Sequence, residues 1–71
     1  MVRKNIRYTR HAIERKLERN ITDEEIEQVI EYPDYTKVYE DRKIAVKHIN
    51  ERTITVVFVE EKTYIKIITT Y

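Results

Sequence analysis

Pro33 divides this chain into two parts with different hydrophobic periods. Before it, apolar residues recur at the 3.6-residue spacing of helices; after it they alternate with period two, the mark of strands. Proline also keeps Tyr32 out of helical angles, so a helix has to stop there. A chain that switches period once in this way places a helical layer on a sheet, an α+β arrangement.

The helical part carries two segments with their own start and stop signals. Thr9 supplies an N-cap for a first helix over 10–19. Its His11, Arg15 and Arg19 are spaced four and four, which makes one slowly drifting stripe. Ile13 and Leu17 lie opposite, with Ala12 and Lys16 at the borders, so Ile13 and Leu17 are the expected buried face. Asn20 follows, the common substitute for glycine at a left-handed helix end. Thr22 and Glu25 then form a capping box, flanked by Ile21 and Ile26 in the positions of a hydrophobic staple. Acidic residues from Asp23 to Glu27 suit the positive end of the second helix, whose buried stripe is Ile26, Val29 and Ile30.

The second part reads as strands over 35–40, 43–49, 53–60 and 63–70, rich in β-branched and aromatic residues. Their short polar links require antiparallel neighbours. The segment 53–60 is apolar on both faces and is the expected central strand. Residues 2–8 alternate weakly, with Val2, Lys4, Ile6 and Tyr8 on one side, as a short N-terminal strand or extended arm would. The expected architecture is one domain over 1–71. A helical hairpin over 9–32 packs on an antiparallel meander sheet of three to four strands over 35–71, with the short N-terminal strand added. A chain of this length buries only about 60% of its unfolded surface, which leaves a thin stability margin.

Composition narrows the chemistry. With no Cys and two His, neither a disulfide nor a thiolate metal site is available, and a structural zinc site is not expected. No cofactor is expected. Glycine is also absent, which removes the usual phosphate-cradling loops. Charged residues make up 38% of the chain. That bias, with abundant Glu, Lys, Arg and Ile, is typical of thermophiles. The net charge of +1 conceals a polarity: residues 1–19 hold seven Lys or Arg and two Glu, whereas 20–34 hold six acids and no base. A local basic surface can therefore bind phosphate despite overall neutrality. There is no run of 18 apolar residues and no signal-peptide pattern, so the expected location is the cytoplasm, away from membranes.

What remains is a set of residues able to handle phosphate. Cleaving RNA without metal requires a group for the 2′-hydroxyl proton, cations for the phosphorane and a proton for the leaving oxygen. Imidazole gives or takes protons near neutrality, so His11 is the candidate proton-transfer group. Arg15 and Arg19 are candidate phosphate clamps, and Lys47 and Tyr71 are candidate helpers. Arg42, Lys43, His48, Lys66, Tyr39 and Tyr64 offer further cations and stacking surfaces on the sheet. Each has an ordinary explanation: the arginine stripe, flanked by Glu14 and Glu18, can be a salt-bridged solvent face, and His48 can be a packed strand residue.

Thr9, His11, Ala12, Arg15, Arg19 and Ile21 resemble the T-x-H-A-x-x-R-x-x-x-R-G-I opening of domain-of-unknown-function family four-two-five-eight. Ile68, Thr69, Thr70 and Tyr71 approximate that family's Thr-Val-Tyr-like closing strand. Asn20 stands where the family usually has glycine, a change its tolerance of left-handed angles allows. The helical hairpin followed by an antiparallel sheet is also similar to the RelE/ParE and BrnT class of small toxins. That resemblance implies a ribonuclease or gyrase poison held in check by a small antitoxin protein. The expected function is accordingly a toxin-like, metal-independent endoribonuclease. Two other readings stay open: a non-catalytic module binding nucleic acid or protein through the basic first helix, and a structural homodimer joined by an edge strand.

Overall fold

The computed structural model describes residues 5–71. Chain order is β1 (Asn5–Tyr8), α1 (Arg10–Glu18), α2 (Asp23–Glu31), β2 (Tyr35–Tyr39), β3 (Arg42–Ile49), β4 (Arg52–Glu60) and β5 (Tyr64–Thr70). Val2 and Lys4 of the expected first strand, and the cations Arg3 and Lys4, lie outside the described residues. The five strands form one sheet in the order β1-β5-β4-β3-β2. β2 to β5 make an antiparallel meander, and β1 joins its far edge parallel to β5. The doubly apolar strand β4 is central, as its sequence requires.

Local chemistry accounts for the boundaries. Thr22 caps α2 reciprocally: its hydroxyl accepts from the Glu25 amide at 3.1 Å while its own amide donates to Glu25 Oε1 at 2.9 Å. α1 ends in a Schellman arrangement, with Asn20 at φ 54°, its amide on the Leu17 carbonyl and the Ile21 amide on Lys16. Lacking glycine, the chain places Glu40 at φ 59° in the β2–β3 link, and Asn50 and Glu51 at 49° and 69° between β3 and β4. Two consecutive positive angles in a two-residue link are the type I′ hairpin turn. A non-glycine residue there costs about 1 kcal/mol or more, least for Asn.

Both helices cover one face of the sheet, α1 over β5 and β1, α2 over β4 and β3. Ile54, Val56 and Phe58 of β4, with Ile65 and Ile67 of β5, form the sheet side of the core, against Ala12, Ile26 and Val29. Ile30 is only partly buried at its margin. The expected buried face of α1 is corrected: Ile13 is 45% and Leu17 67% exposed, while Ala12 is fully buried. The helix is held in this rotation by ties at its two ends, Thr9 to the Ile67 and Ile68 carbonyls and Arg52 to the Arg19 and Asn20 carbonyls. Lys16 lies alongside, its stem partly buried and its ammonium 3.0 Å from Asp23. Among the described residues, no helix is long and apolar enough to cross a membrane.

Candidate functional site

β1 pairs with β5 only as far as Tyr8 opposite Ile67. Beyond that point the outer edge of β5 has no strand beside it among the described residues, and α1 crosses there instead. β5 also carries a bulge. Phe58 faces Ile67 but Val57 faces Thr69, so Ile68 is the extra residue. The bulge reverses the alternation: Thr70 turns inward, fully buried, and donates to the Thr55 carbonyl at 2.8 Å. Thr69 and Tyr71 take the opposite phase, and Tyr71 stays in register through two backbone bonds with Thr55.

Thr9 fastens the helix to this bulge. Its amide donates to the Ile67 carbonyl at 3.1 Å, and its hydroxyl donates to Ile68 at 2.9 Å while accepting from the Ala12 amide. The cap thereby satisfies a carbonyl that the bulge removes from the ladder. The other end of α1 is held by Arg52 of β4, whose guanidinium donates to the Arg19 carbonyl at 2.6 Å and the Asn20 carbonyl at 3.3 Å. A third tie is the Tyr8 hydroxyl, which donates to Asp23 Oδ1 at 3.0 Å beside Lys16. The Lys16 and Tyr8 hydrogen bonds hold the Asp23 carboxyl below the usual carboxylate range. Burial, reinforced by Asp23, raises the Tyr8 phenol above its ordinary value.

With α1 fixed in this way, His11, Arg15 and Arg19 line an open cleft of about 360 Å³ whose other wall is Thr69, Thr70 and Tyr71. Four of the five residues singled out from the sequence therefore meet at one place, although Tyr71 is far from the others in the chain. Arg15 is partly engaged, its Nη1 lying 3.4 Å from Glu18 Oε1. Among the described residues, no side-chain hydrogen bond or ion pair holds His11 or the Arg19 guanidinium. The cleft presents cations and hydroxyls, a combination suited to an anion. Among the described residues, no three His, Cys, Asp or Glu converge as a metal site would need.

Lys47 does not join this group. It lies on the helix-covered face of β3, opposite Ile54, where its ammonium donates to the Tyr32 carbonyl at 2.8 Å and sits 3.9 Å from Asp34. Lys43 is likewise committed, to Glu60 at 2.9 Å. Arg42, His48, Lys66, Tyr39 and Tyr64 stand on the other face, which no helix among the described residues covers. Sequence reasoning missed Arg52, the first residue of β4, which follows a polar turn and carries no local sign of its distant partner. The bulge that turns residues 69–71 was also missed, for a run of β-branched residues gives no hint of it.

No curated protein and no solved structure matches the chain. The model of the domain-of-unknown-function family DUF4258 matches residues 8–71. That span begins in β1 at Tyr8 and takes in both walls of the cleft. The chain belongs to this domain-of-unknown-function family.

Proposed function

We propose that the α1–β5 cleft binds an RNA phosphate and that the protein is a toxin-like endoribonuclease working without a metal ion. One observation carries the reading: His11, Arg15 and Arg19 share a cleft with Tyr71, contributed by the opposite end of the chain. In this mechanism Arg15 and Arg19 hold the phosphate and neutralise charge developing in the phosphorane. His11 removes the 2′-hydroxyl proton as that oxygen bonds to phosphorus, the bond from phosphorus to the 5′-oxygen breaks, and the leaving oxygen takes its proton from solvent; the Tyr71 phenol donates to a phosphate oxygen. Lys47, committed to Tyr32 and Asp34, has no part in it. Two helices followed by an antiparallel sheet, with the first strand parallel to the last, is an arrangement similar to that of RelE/ParE toxins. That likeness supports the toxin reading by fold analogy, with a small antitoxin as the partner.

A second reading is binding without turnover. It is favoured by His11 lacking an orienting hydrogen bond among the described residues, since a general base is usually held by a third group. A homodimer through edge strand β2 is supported least, because antiparallel self-pairing about Lys37 would set two ammonium groups face to face.

The deciding experiment is incubation of the purified protein with single-stranded RNA in the presence of a chelator, repeated with His11→Ala and Arg19→Ala. Cleavage that falls about a hundredfold or more in His11→Ala supports catalysis. Salt-sensitive binding with no product supports the second reading, and an active His11→Ala removes the assigned role.

A further inference from the structure

The face of the sheet turned away from the helices has a composition unlike the rest of the molecule. Ile44, Val57 and Val59 form a half-buried aliphatic floor on β3 and β4. Around it stand Arg7, Lys37, Arg42 and Lys66, with Tyr35, Tyr39 and Tyr64. Among the described residues no Asp or Glu occupies a strand position on this face; the single strand carboxylate, Glu60, shares the helix-covered side with Lys43.

The cations are arranged at a cost to the fold. Arg7 and Lys66 are register partners on adjacent strands, about 4.8 Å apart in backbone spacing. Like charges directly opposite destabilise a ladder. The Arg7 guanidinium relieves part of this by lying 4.7 Å from the centroid of the Tyr64 ring. Lys66 faces Val59, and Arg42 stands one step beyond the Lys43–Phe58 pair, opposite the same Val59. A transverse row results, running Tyr39, Arg42, Val59, Lys66, Arg7 across all five strands. On β2, Tyr35 and Tyr39 are 54% and 67% exposed and lie on the same side as this row.

We infer that this open face is a binding surface for single-stranded nucleic acid. The backbone crosses the sheet along Arg42, Lys66 and Arg7, and bases stack on Tyr39 and Tyr35. A second copy of the chain does not fit, since the same cationic rim would face itself. Exposed tyrosines beside a row of cations distinguish nucleic acid from an acidic polypeptide, because every base offers a ring face to stack. The inference rests on the RNA reading only in taking nucleic acid as the anion. It concerns residues outside the α1–β5 cleft.

The test is fluorescence anisotropy with a short labelled single-stranded DNA, which has no 2′-hydroxyl and is therefore bound without being cleaved. Three phosphate contacts on this face contribute about −2 to the slope of log K against log salt, a contribution reduced by about 0.7 in Lys66→Gln. Tyr39→Ala weakens binding about tenfold, whereas Tyr39→Phe, which keeps the ring, does not. Circular dichroism and thermal melts establish that each variant is folded. Affinity unchanged in Lys66→Gln and Tyr39→Ala but lost in Arg19→Ala would overturn the inference and leave the cleft as the anion site. Equal binding of polyglutamate, insensitive to Tyr39→Ala, would overturn it in favour of an acidic protein partner. Failure of RNA cleavage would leave all these outcomes readable.

Discussion

Thr9 and Ile68 are 59 positions apart, yet the hydroxyl of the first donates to the carbonyl of the second at 2.9 Å. The same hydroxyl caps α1 by accepting from Ala12. One oxygen thus ends the orphaned state of a helix amide and of a bulge carbonyl together. It also sets the distance between the His11 stripe and residues 69–71. Thr9→Val should lose the cap and strand the carbonyl, costing about 2 kcal/mol in chemical denaturation. Thr9→Ser keeps both bonds and should stay within about 0.5 kcal/mol of the parent. A loss in Thr9→Ser with none in Thr9→Val would show that the methyl group, and not the hydroxyl, matters.

The rotation of α1 gives a second prediction. Leu17 is 67% exposed and Ala12 fully buried, so Leu17→Ala should change stability by less than about 0.5 kcal/mol. Ala12→Leu should overpack the helix against β5 and cost about 1–3 kcal/mol. The reverse order, measured by thermal melts, would restore the helix face expected from hydrophobicity.

This reversal marks where the sequence stops being informative. The period switch at Pro33, the Thr22 capping box, the Asn20 helix end and the central place of β4 were all legible, because each is settled by neighbours in sequence. The rotation of α1 was not. It depends on Thr9 and Arg52 meeting backbone carbonyls on distant or neighbouring elements, and no local pattern encodes those meetings. For the site the division is similar. His11, Arg15 and Arg19 were singled out as candidates by helical spacing, while their meeting with Tyr71 follows from a bulge at Ile68 that composition does not reveal. The separation of Lys47 from the cleft is hidden for the same reason: the register with Ile54 puts it under the helices.

A third prediction concerns the glycine-free hairpins. Glu51 holds φ at 69° in the β3–β4 turn. Glu51→Gly should relieve the left-handed strain and stabilise the protein by about 0.5–1 kcal/mol, net of the greater freedom glycine gives the unfolded chain. For a domain of this size that corresponds to a rise in Tm of about 2–8 °C. Asn50→Ala, at φ 49°, should lower Tm. A fall in Tm for Glu51→Gly would show that the Glu side chain contributes more than its backbone costs.

A fourth prediction is the pH profile set by the Tyr8, Asp23 and Lys16 cluster. The Asp23 pKa is lower folded than unfolded, mainly through the Lys16 hydrogen bond. Its contribution is therefore present above about pH 4 and lost as pH falls through the folded value. The Tyr8 pKa is raised, chiefly by burial. The unfolded phenol ionises first, so stability declines as pH rises above about 10. Asp23→Asn should flatten the acid limb and Tyr8→Phe the alkaline limb of denaturation midpoints against pH. Limbs unchanged in both variants would assign the profile to other groups.

The last prediction isolates the anion-binding capacity of the cleft. Glu18 is the carboxylate closest to Arg15, at 3.4 Å, and both side chains are largely exposed. Such a surface pair is worth about 0.2–1 kcal/mol, so the guanidinium can leave it for a better partner. A phosphate entering between Arg15 and Arg19 must compete with Glu18 for the same nitrogen. Glu18→Gln removes that competitor without shortening the side chain. Affinity for a phosphodiester-containing single strand should then rise about two- to fivefold at low salt, with the gain fading as salt rises. The same substitution in an Arg15→Ala background should produce a much smaller gain, because the competition it relieves no longer exists. An equal gain in both backgrounds would mean that Glu18 acts only through overall charge, and that Arg15 does not hold the phosphate.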